Sequence, residues 1–174
     1  MIGHLTERDF KVMPWANGRG QTVEMWRQDR DGALLWRLSR AMVVEDGAFS
    51  LFAGVERNLT VISGGGFDLV GAVSLRAGLL QPVEFAGDVA VRAAGVTGPC
   101  EDFNVMVRRG AMRAGVEVCD GGGLSGGMAA LFALGPVVVK GIAVGRHELV
   151  LTDEAVRFEG RAIVVRLHDL AENS

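Results

Sequence analysis

Hydrophobic residues along this chain come in short runs of four to eight, separated by glycine, proline and acidic residues about every ten positions. Runs of this length are typical of β-strands, and long faces with a 3.6-residue period behind a helix cap are missing. The pattern predicts an all-β protein, with one short helical turn near residues 101–103. Strands are predicted at residues 34–44, 57–62, 67–70, 89–93, 105–108, 137–139 and 163–167.

The segment at residues 13–25 predicts a hairpin that carries unusual chemistry. Asn17 and Gly18, followed by Gly20, supply the backbone freedom of a tight reversal. Alternation along the outgoing strand then puts Thr22 and Glu24 on one face. One interpretation is a hairpin with a solvated polar face. The other is a binding surface, because a turn by itself needs no glutamate.

A second polar pattern lies in the predicted strand at residues 34–44. Alternation sends Arg37 and Ser39 to the same face, and Arg57 begins a later strand. Guanidinium groups bind carboxylates bidentately, which lysine cannot do. The pattern therefore favours a carboxylate site or, equally, structural ion pairs at the sheet surface. The acids available for such pairs are Glu24, Glu45 and Asp46.

Composition bounds the class of protein. The 174 residues are 49% hydrophobic, which is enough for one compact domain or two small fused halves. Lys and Arg number 18 against 21 Asp and Glu, which gives a net charge of -3. Nucleic acids and anionic membranes are therefore disfavoured as partners.

Location and redox state also follow from the sequence. The first residues mix charges and lack the apolar core of a signal peptide, and the apolar stretch at residues 128–139 is broken by glycine and proline. It is also well short of the roughly 20 residues that span a bilayer. Cys100 and Cys119 form no C-x-x-C motif, so they are predicted to be reduced thiols. We expect a cytoplasmic protein.

Metal and nucleophilic chemistry are not indicated. His4, His147 and His168 form no short-range pair, so we predict no metal and no cofactor, and we expect His147 and His168 at the surface. Ser39 and Ser50 have no histidine at a motif-like distance, which argues against a catalytic triad.

Carboxylates offer a further option. Glu24 with Asp46 or Asp102 forms a conceivable acid/base pair. The alternative is that both aspartates are solvated or cap strands, since Asp46 and Gly47 are typical of a hairpin turn. Asn104 is either a buried amide that satisfies backbone groups or a ligand contact.

Two glycine-containing patterns concern organisation. Val83, Phe85 and Gly87 recur loosely as Val156, Phe158 and Gly160, which favours a duplicated β unit. Chance similarity between strands is the alternative. The glycine-rich run at residues 120–127 lacks the Lys-Ser/Thr sequel of a phosphate loop, so we predict a flexible loop there.

Four separated motifs carry a family resemblance, at residues 13–25, 36–39, 46–57 and 101–110. All place polar groups inside strand-like apolar runs. In this order they resemble the HutD/Ves family, small cupin-like proteins associated with bacterial histidine utilisation, over roughly residues 8 to 170. The family pattern usually has Lys where this chain has Ala16, and Gly where it has Arg19, so the resemblance implies no side-chain role for these two.

The resemblance implies an all-β bicupin, an RmlC-like jelly roll formed from two similar β-barrel halves. We expect a single compact unit over residues 1–174. Its halves would be an N-terminal cupin barrel with the pocket at residues 8–110 and a C-terminal β portion at residues 111–170, with strands exchanged between them.

The resemblance also implies a small-molecule-binding accessory or regulatory protein of histidine utilisation. Its partner would be a carboxylate-bearing, formylglutamate-like or urocanate-like intermediate, held by Arg37 and Arg57 beside neutral hydrogen-bonding groups and an aromatic wall. The ligand-contacting residues are expected to be Trp15, Asn17, Thr22, Glu24, Arg37, Ser39, Phe49, Arg57 and Asn104.

Two other functions stay open at this point. One is a metal-independent isomerase or hydrolase of a small carboxylate that uses Glu24 as its general base. The other is a structural or protein-interaction module without a ligand. We expect neither nucleic acid nor a membrane as a partner, and the sequence is compatible with a homodimer.

Overall fold

The computed structural model describes residues 2–171, and most of them lie in antiparallel β-strands. The predicted all-β class is confirmed. One 3-10 turn is present, at Glu7–Asp9. The expected single unit 1–174 includes Met1 and residues 172–174, which lie outside the described residues.

The strands are β1 Gly3–Leu5, β2 Lys11–Pro14, β3 Gln21–Arg30, β4 Ala33–Val43, β5 Gly47–Ala48, β6 Val55–Ser63, β7 Phe67–Gly71, β8 Ser74–Ala77, β9 Val83–Ala86, β10 Val91–Ala94, β11 Cys100–Arg108, β12 Met112–Ser125, β13 Ala129–Ala133, β14 Val137–Val139, β15 Ile142–Val144, β16 Leu149–Thr152 and β17 Ala155–Asp169.

The chain divides into two compact units. Residues Lys11–Ala111 form the N-terminal unit. The C-terminal unit begins at Met112 and also includes the segment that ends at Phe10. Strand β1 therefore belongs with the second half of the sequence, where it pairs with β16.

The N-terminal unit contains a six-stranded sheet of order β2-β3-β4-β11-β6-β9 and a four-stranded sheet of order β5-β10-β7-β8. Its core joins the two sheets, since Leu59 and Val61 of the first pack with Phe67, Leu69 and Val91 of the second. Each of these side chains is at most 4% exposed. Burying such aliphatic and aromatic groups is the main stabilising contribution to this unit.

The C-terminal unit is a seven-stranded sheet of order β1-β16-β13-β17-β14-β15, to which β12 is added beside β17. Its hydrophobic core includes Leu131, Val150, Phe158 and Val164. Of the residues in the loose sequence repeat, Val83 lies in β9 and its counterpart Val156 lies in β17. The first copy spans β9 and β10, which lie in different sheets, whereas the second copy lies within one long strand.

The prediction of a flexible loop at residues 120–127 is wrong for most of that segment. Strand β12 continues to Ser125 and pairs with β17, with a register shift between Asp120 and Gly122. Gly121 (φ +97°) and Gly122 (φ +153°) occupy this irregularity. Glycine here makes a β-bulge, because only glycine adopts these angles without strain.

The helical turn expected at residues 101–103 is also wrong, since Cys100–Arg108 forms strand β11. Strands β4 and β6 flank β11 and pair with it along most of its length. Six consecutive residues of β11, from Asp102 to Val107, are buried. Pairing on both edges therefore outweighs the local turn tendency of two adjacent acids.

Within residues 2–171 the protein has no helix with the length and hydrophobicity needed to span a bilayer.

Candidate functional site

Strand register in the six-stranded sheet aligns residues of three strands, β4, β6 and β11. Arg37 on β4 and Arg57 on β6 both lie opposite Met106 of the intervening strand β11. Neighbouring strands are about 4.8 Å apart, so about 10 Å separates the two arginine backbones. Ser39 lies opposite Asn104 on the next alternate positions. Because alternate residues share a face, these five side chains project to the same side of the sheet.

A cavity of about 900 Å³ lies over this face of the N-terminal unit. Eight of the nine predicted ligand-contacting residues line it, and their role in binding stays a prediction. The ninth, Glu24, is not among the lining residues and instead contacts Arg37. The eight are Trp15, Asn17, Thr22, Arg37, Ser39, Phe49, Arg57 and Asn104.

The Arg37 guanidinium forms an ion pair with the Glu24 carboxylate. Its Nε donates to Glu24 Oε2 at 2.7 Å, and its Nη2 lies 3.7 Å from Met13 Sδ. The side chains of Arg37 and Glu24 are 10% and 15% exposed, so this is a largely buried ion pair and not the surface bridge considered above. Glu24 thus fixes the orientation of Arg37.

Arg57 is enclosed by aromatic rings. Its guanidinium carbon lies 5.1 Å from the ring centres of Phe49 and Phe85 and 5.5 Å from that of Phe52. Such cation–π contacts favour the charged form and fix the side chain. Arg57 Nη2 donates to Asn104 Oδ1 at 2.9 Å, while its buried Nε has no hydrogen-bond partner.

The electrostatic environment of Arg57 is unusual for an arginine. Burial lowers its pKa to about 10; Asp102 opposes this shift, and Arg37 adds to it. The group is still charged at neutral pH. The hydrogen bond of Arg57 goes to a neutral amide and its buried Nε has no partner, so the guanidinium still has donor capacity for a ligand oxygen.

Asp102 is the residue that sequence analysis judged incorrectly, because it is neither solvated nor a strand cap. It is fully buried. Its Oδ1 accepts a hydrogen bond from Asn104 Nδ2 at 2.5 Å, and its Oδ2 has no partner. Burial raises its pKa to about 7, against the opposing effects of Arg57 and Asn104, and Glu101 raises it further. Its alternation with Asn104 and Met106 in β11 was the signal that could have found it.

The loop between β2 and β3 forms one side of the cavity. Gly18 has φ +70°, as the predicted reversal requires. Trp15 Nε1 donates to Thr22 Oγ1 at 3.0 Å. Gly20 lies directly beneath the Trp15 ring, where a β-carbon would come within 2.7 Å of it. Glycine at this position thus lets the indole lie flat against the loop.

Comparison with known proteins shows what the chain is related to. The model of the HutD family matches residues 7–167. The chain belongs to the HutD family. Protein Ves of Cronobacter sakazakii (strain ATCC BAA-894) is 38% identical over 118 residues, which cover 64% of this chain and 65% of that protein. A Pseudomonas putida protein described as an uncharacterized 21.2 kDa protein in the hutC 3' region is 36% identical over 121 residues, with 67% and 64% covered.

Solved structures extend the comparison to nearly the whole chain. The structure of HutD from Pseudomonas fluorescens SBW25 in a formate condition matches with a TM-score of 0.86 and 32% identity, covering 96% of this chain and 98% of that one. A cupin 2 conserved barrel domain protein from Leptotrichia buccalis matches with a TM-score of 0.54 at 9% identity, covering 91% and 96%. The fold of this HutD-family chain is therefore cupin-like. Its alignments span less than two thirds of the length of the two curated relatives above.

The remaining acids near the mouth of the HutD-family cavity are engaged locally. Glu45 pairs with the exposed Arg19 at 2.6 Å. Asp46 Oδ1 accepts the backbone N–H of Val96 at 2.8 Å, and this contact, with that of Gly95, lowers the pKa of Asp46. Neither acid pairs with Arg37 or Arg57 through these contacts, contrary to one interpretation of the sequence. Gly47 lies in strand β5, not in a hairpin turn.

The histidines are dispersed over the C-terminal unit of this HutD-family protein. His4 Nε2 lies 2.7 Å from Glu148 Oε2, His147 stacks on Phe132 with 5.5 Å between ring centres, and His168 is exposed. His147 is half-buried, so its expected surface position is only partly right. Among residues 2–171, no three or more His, Cys, Asp or Glu side chains form a group that could hold a metal ion. Cys100 and Cys119 are free thiols.

Proposed function

We propose that this HutD-family protein binds a small carboxylate-bearing metabolite in the cavity of its N-terminal unit. The observation that carries the proposal is the placement of two buried arginines, Arg37 and Arg57, in one row on the cavity wall. Arg37 is oriented by Glu24, and Arg57 by Asn104 and three phenyl rings. Pre-oriented guanidinium groups bind a carboxylate without losing much side-chain entropy.

Hydrogen bonding and shape would supply selectivity. Thr22, Ser39 and Asn104 present neutral donors and acceptors to the cavity, and Asn17 lies on its loop side. Trp15 and Phe49 add flat apolar surface. A ligand with one or two carboxylates, a polar amide or imidazole and a short carbon chain matches this arrangement. Formylglutamate-like and urocanate-like compounds both have that chemistry.

The biological role we propose is that of an accessory or regulatory protein in histidine utilisation. The family assignment supports it, as does the Pseudomonas putida relative, which is described by its position in the hutC 3' region. A binding protein that senses an acidic intermediate would moderate the pathway without turning the compound over. A cytoplasmic location and homodimer formation stay predictions.

We also infer that the two units correspond to the two halves of a bicupin. The division into compact units near residue 111 and the cupin-like fold support this inference. The N-terminal unit would be the half that retains a ligand cavity. Strand β1 would be the segment contributed to the C-terminal half by the start of the chain.

The binding proposal is tested by isothermal titration calorimetry with urocanate, N-formylglutamate and the amide of urocanate. We expect the two acids to bind and the amide to give no measurable heat. Arg57→Gln and Arg37→Gln should each weaken acid binding by about 100-fold, since a charged hydrogen-bonded contact contributes about 3 kcal/mol. Arg27→Gln is the matched control, because Arg27 lies beside Arg37 in the same sheet but is exposed and outside the cavity. Equal affinity in Arg57→Gln would contradict the proposal.

The alternative is a metal-independent isomerase or hydrolase with Glu24 as general base. The Glu24 carboxylate already accepts from Arg37 and does not line the cavity, which favours a binding role. Turnover of either acid by chelator-treated protein, with loss of turnover in Glu24→Gln, would favour the enzyme instead.

A further inference from the structure

Three side chains of the cavity lining form a hydrogen-bonded chain that ends at the fully buried Asp102. Arg57 Nη2 donates to Asn104 Oδ1 at 2.9 Å, and Asn104 Nδ2 donates to Asp102 Oδ1 at 2.5 Å. The Asn104 amide thus bridges a cation and a carboxyl group through its two ends. A change in the electrostatic environment of Arg57 therefore changes the proton affinity of Asp102.

The balance of charge in this buried cluster is close to neutral without a ligand. Arg37 is paired with Glu24, and Arg57 faces Asp102 through Asn104. A ligand carboxylate that binds Arg57 adds a negative charge where Asp102 already supplies one. Two carboxylates that share one buried arginine repel each other, and protonating one of them removes the repulsion.

The other groups packed around Asp102 offer no compensating cation. Its register partners are Ala41 on β4 and Val61 on β6, which are uncharged. On its own strand, Glu101 is a second acid, and Glu101 lies 3.0 Å from Arg40. Arg57 is thus the cation that faces Asp102 most directly, and a ligand anion would compete for it.

We propose that Asp102 is a positioning residue that takes up one proton from solvent when a carboxylate binds at Arg57. This inference rests on the proposed function. Oδ1 keeps its hydrogen bond from Asn104, and the proton goes to Oδ2, the oxygen without a partner. Neutral Asp102 no longer competes with the ligand carboxylate for the positive charge of Arg57. The protein with Asp102 protonated is therefore the form that binds acids well.

Protonation of Asp102 costs little free energy at neutral pH, because Asp102 has a pKa of about 7. Linkage requires that the carboxylate increase the proton affinity of Asp102 by the same factor by which protonation tightens carboxylate binding. Between the pKa of Asp102 in the free protein and its higher pKa in the complex, the affinity for acids should fall about tenfold for each pH unit.

The test is carbon-13 NMR of protein labelled at the aspartate carboxyl carbons, with the Asp102 signal assigned by its loss in Asp102→Asn. The probe is excess sodium acetate, and sodium chloride at equal ionic strength is the control. We expect acetate to raise the titration midpoint of Asp102 by about one pH unit or more. Asp102→Asn, which mimics the neutral acid, should bind acetate with an affinity that does not change with pH in the neutral range.

The outcomes separate this inference from the proposed function. An unchanged midpoint in acetate, with urocanate or N-formylglutamate still bound in calorimetry, overturns the proton uptake alone. An unchanged midpoint with no acid bound in calorimetry overturns both. A raised midpoint in Arg57→Gln as large as in the original protein would also overturn the inference, because the coupling is expected to pass through Arg57.

Discussion

The two units of this protein are both antiparallel β structures, yet their interiors differ in polarity. In the C-terminal unit the core cluster contains only aliphatic and aromatic residues, and Thr152 is its one buried polar residue among those that the structure describes. In the N-terminal unit, buried polar and charged residues follow the strands of the six-stranded sheet. They are Arg37, Ser39, Arg57, Asn58, Thr60, Asp102 and Asn104.

This difference supports the site proposed in the N-terminal unit. Burying a charged or hydrogen-bonding group costs free energy that an apolar side chain does not cost. A fold that needs only stability would fill both interiors as the C-terminal unit is filled. The N-terminal unit keeps buried atoms without partners on Arg57 and Asp102, which is typical of a site that a ligand or a proton completes.

The largest expected effect concerns the pH dependence of stability. Folding raises the pKa of Asp102 from 3.8 to about 7. Between those values the folded protein holds a proton that the unfolded chain has lost, so the free energy of unfolding should fall as pH rises from about 4 to 7, by up to about 4 kcal/mol. Urea unfolding across this range measures it. Asp102→Asn should lack this fall in the same window, and an equal slope in both proteins would remove Asp102 as the cause.

A truncation in the C-terminal unit should separate stability from binding. Leu131 is 1% exposed in the apolar core, so Leu131→Ala should lower the free energy of unfolding by about 3 kcal/mol through a cavity and lost burial. Urea unfolding measures the loss. The affinity of the folded protein for acids should not change, and Val138→Ala, at a 42% exposed position, is the matched control.

The buried ion pair of the N-terminal unit can be compared with an exposed pair of the C-terminal unit. Glu24→Gln leaves the Arg37 charge without its carboxylate and should lower the free energy of unfolding by about 2 kcal/mol. Asp120→Asn breaks the exposed pair with Arg161 and should leave stability nearly unchanged. Thermal unfolding of the two amide variants tests the contrast, and similar losses would show that burial is not the deciding factor.

The smallest effect is expected at the loop beside the cavity. Gly20→Ala puts a methyl group within 2.7 Å of the Trp15 ring and should displace it, which would weaken acid binding by roughly 1 kcal/mol. Calorimetry with urocanate and near-ultraviolet circular dichroism of the indole measure the change. Gly98→Ala is the control, because nothing lies within 4 Å of the added carbon there.

Strand positions could be predicted from the sequence where turn residues bound the apolar runs. The segment 137–139 is strand β14 as predicted, and the alternation that groups Arg37 with Ser39 is found in β4. The errors fall where local tendencies compete with pairing. Adjacent acids at residues 101 and 102 suggested a turn, and glycines at residues 121–123 suggested a loop, yet pairing on neighbouring strands makes both segments extended.

By itself the sequence determined the all-β class, the family and which polar residues share a face, because alternation along a strand has a period of two. Only the tertiary structure decided which of those faces is buried. The neighbours of a strand come from distant parts of the chain, so the burial of Asp102, the aromatic enclosure of Arg57 and the link between them through Asn104 exist only after β4, β11 and β6 have paired.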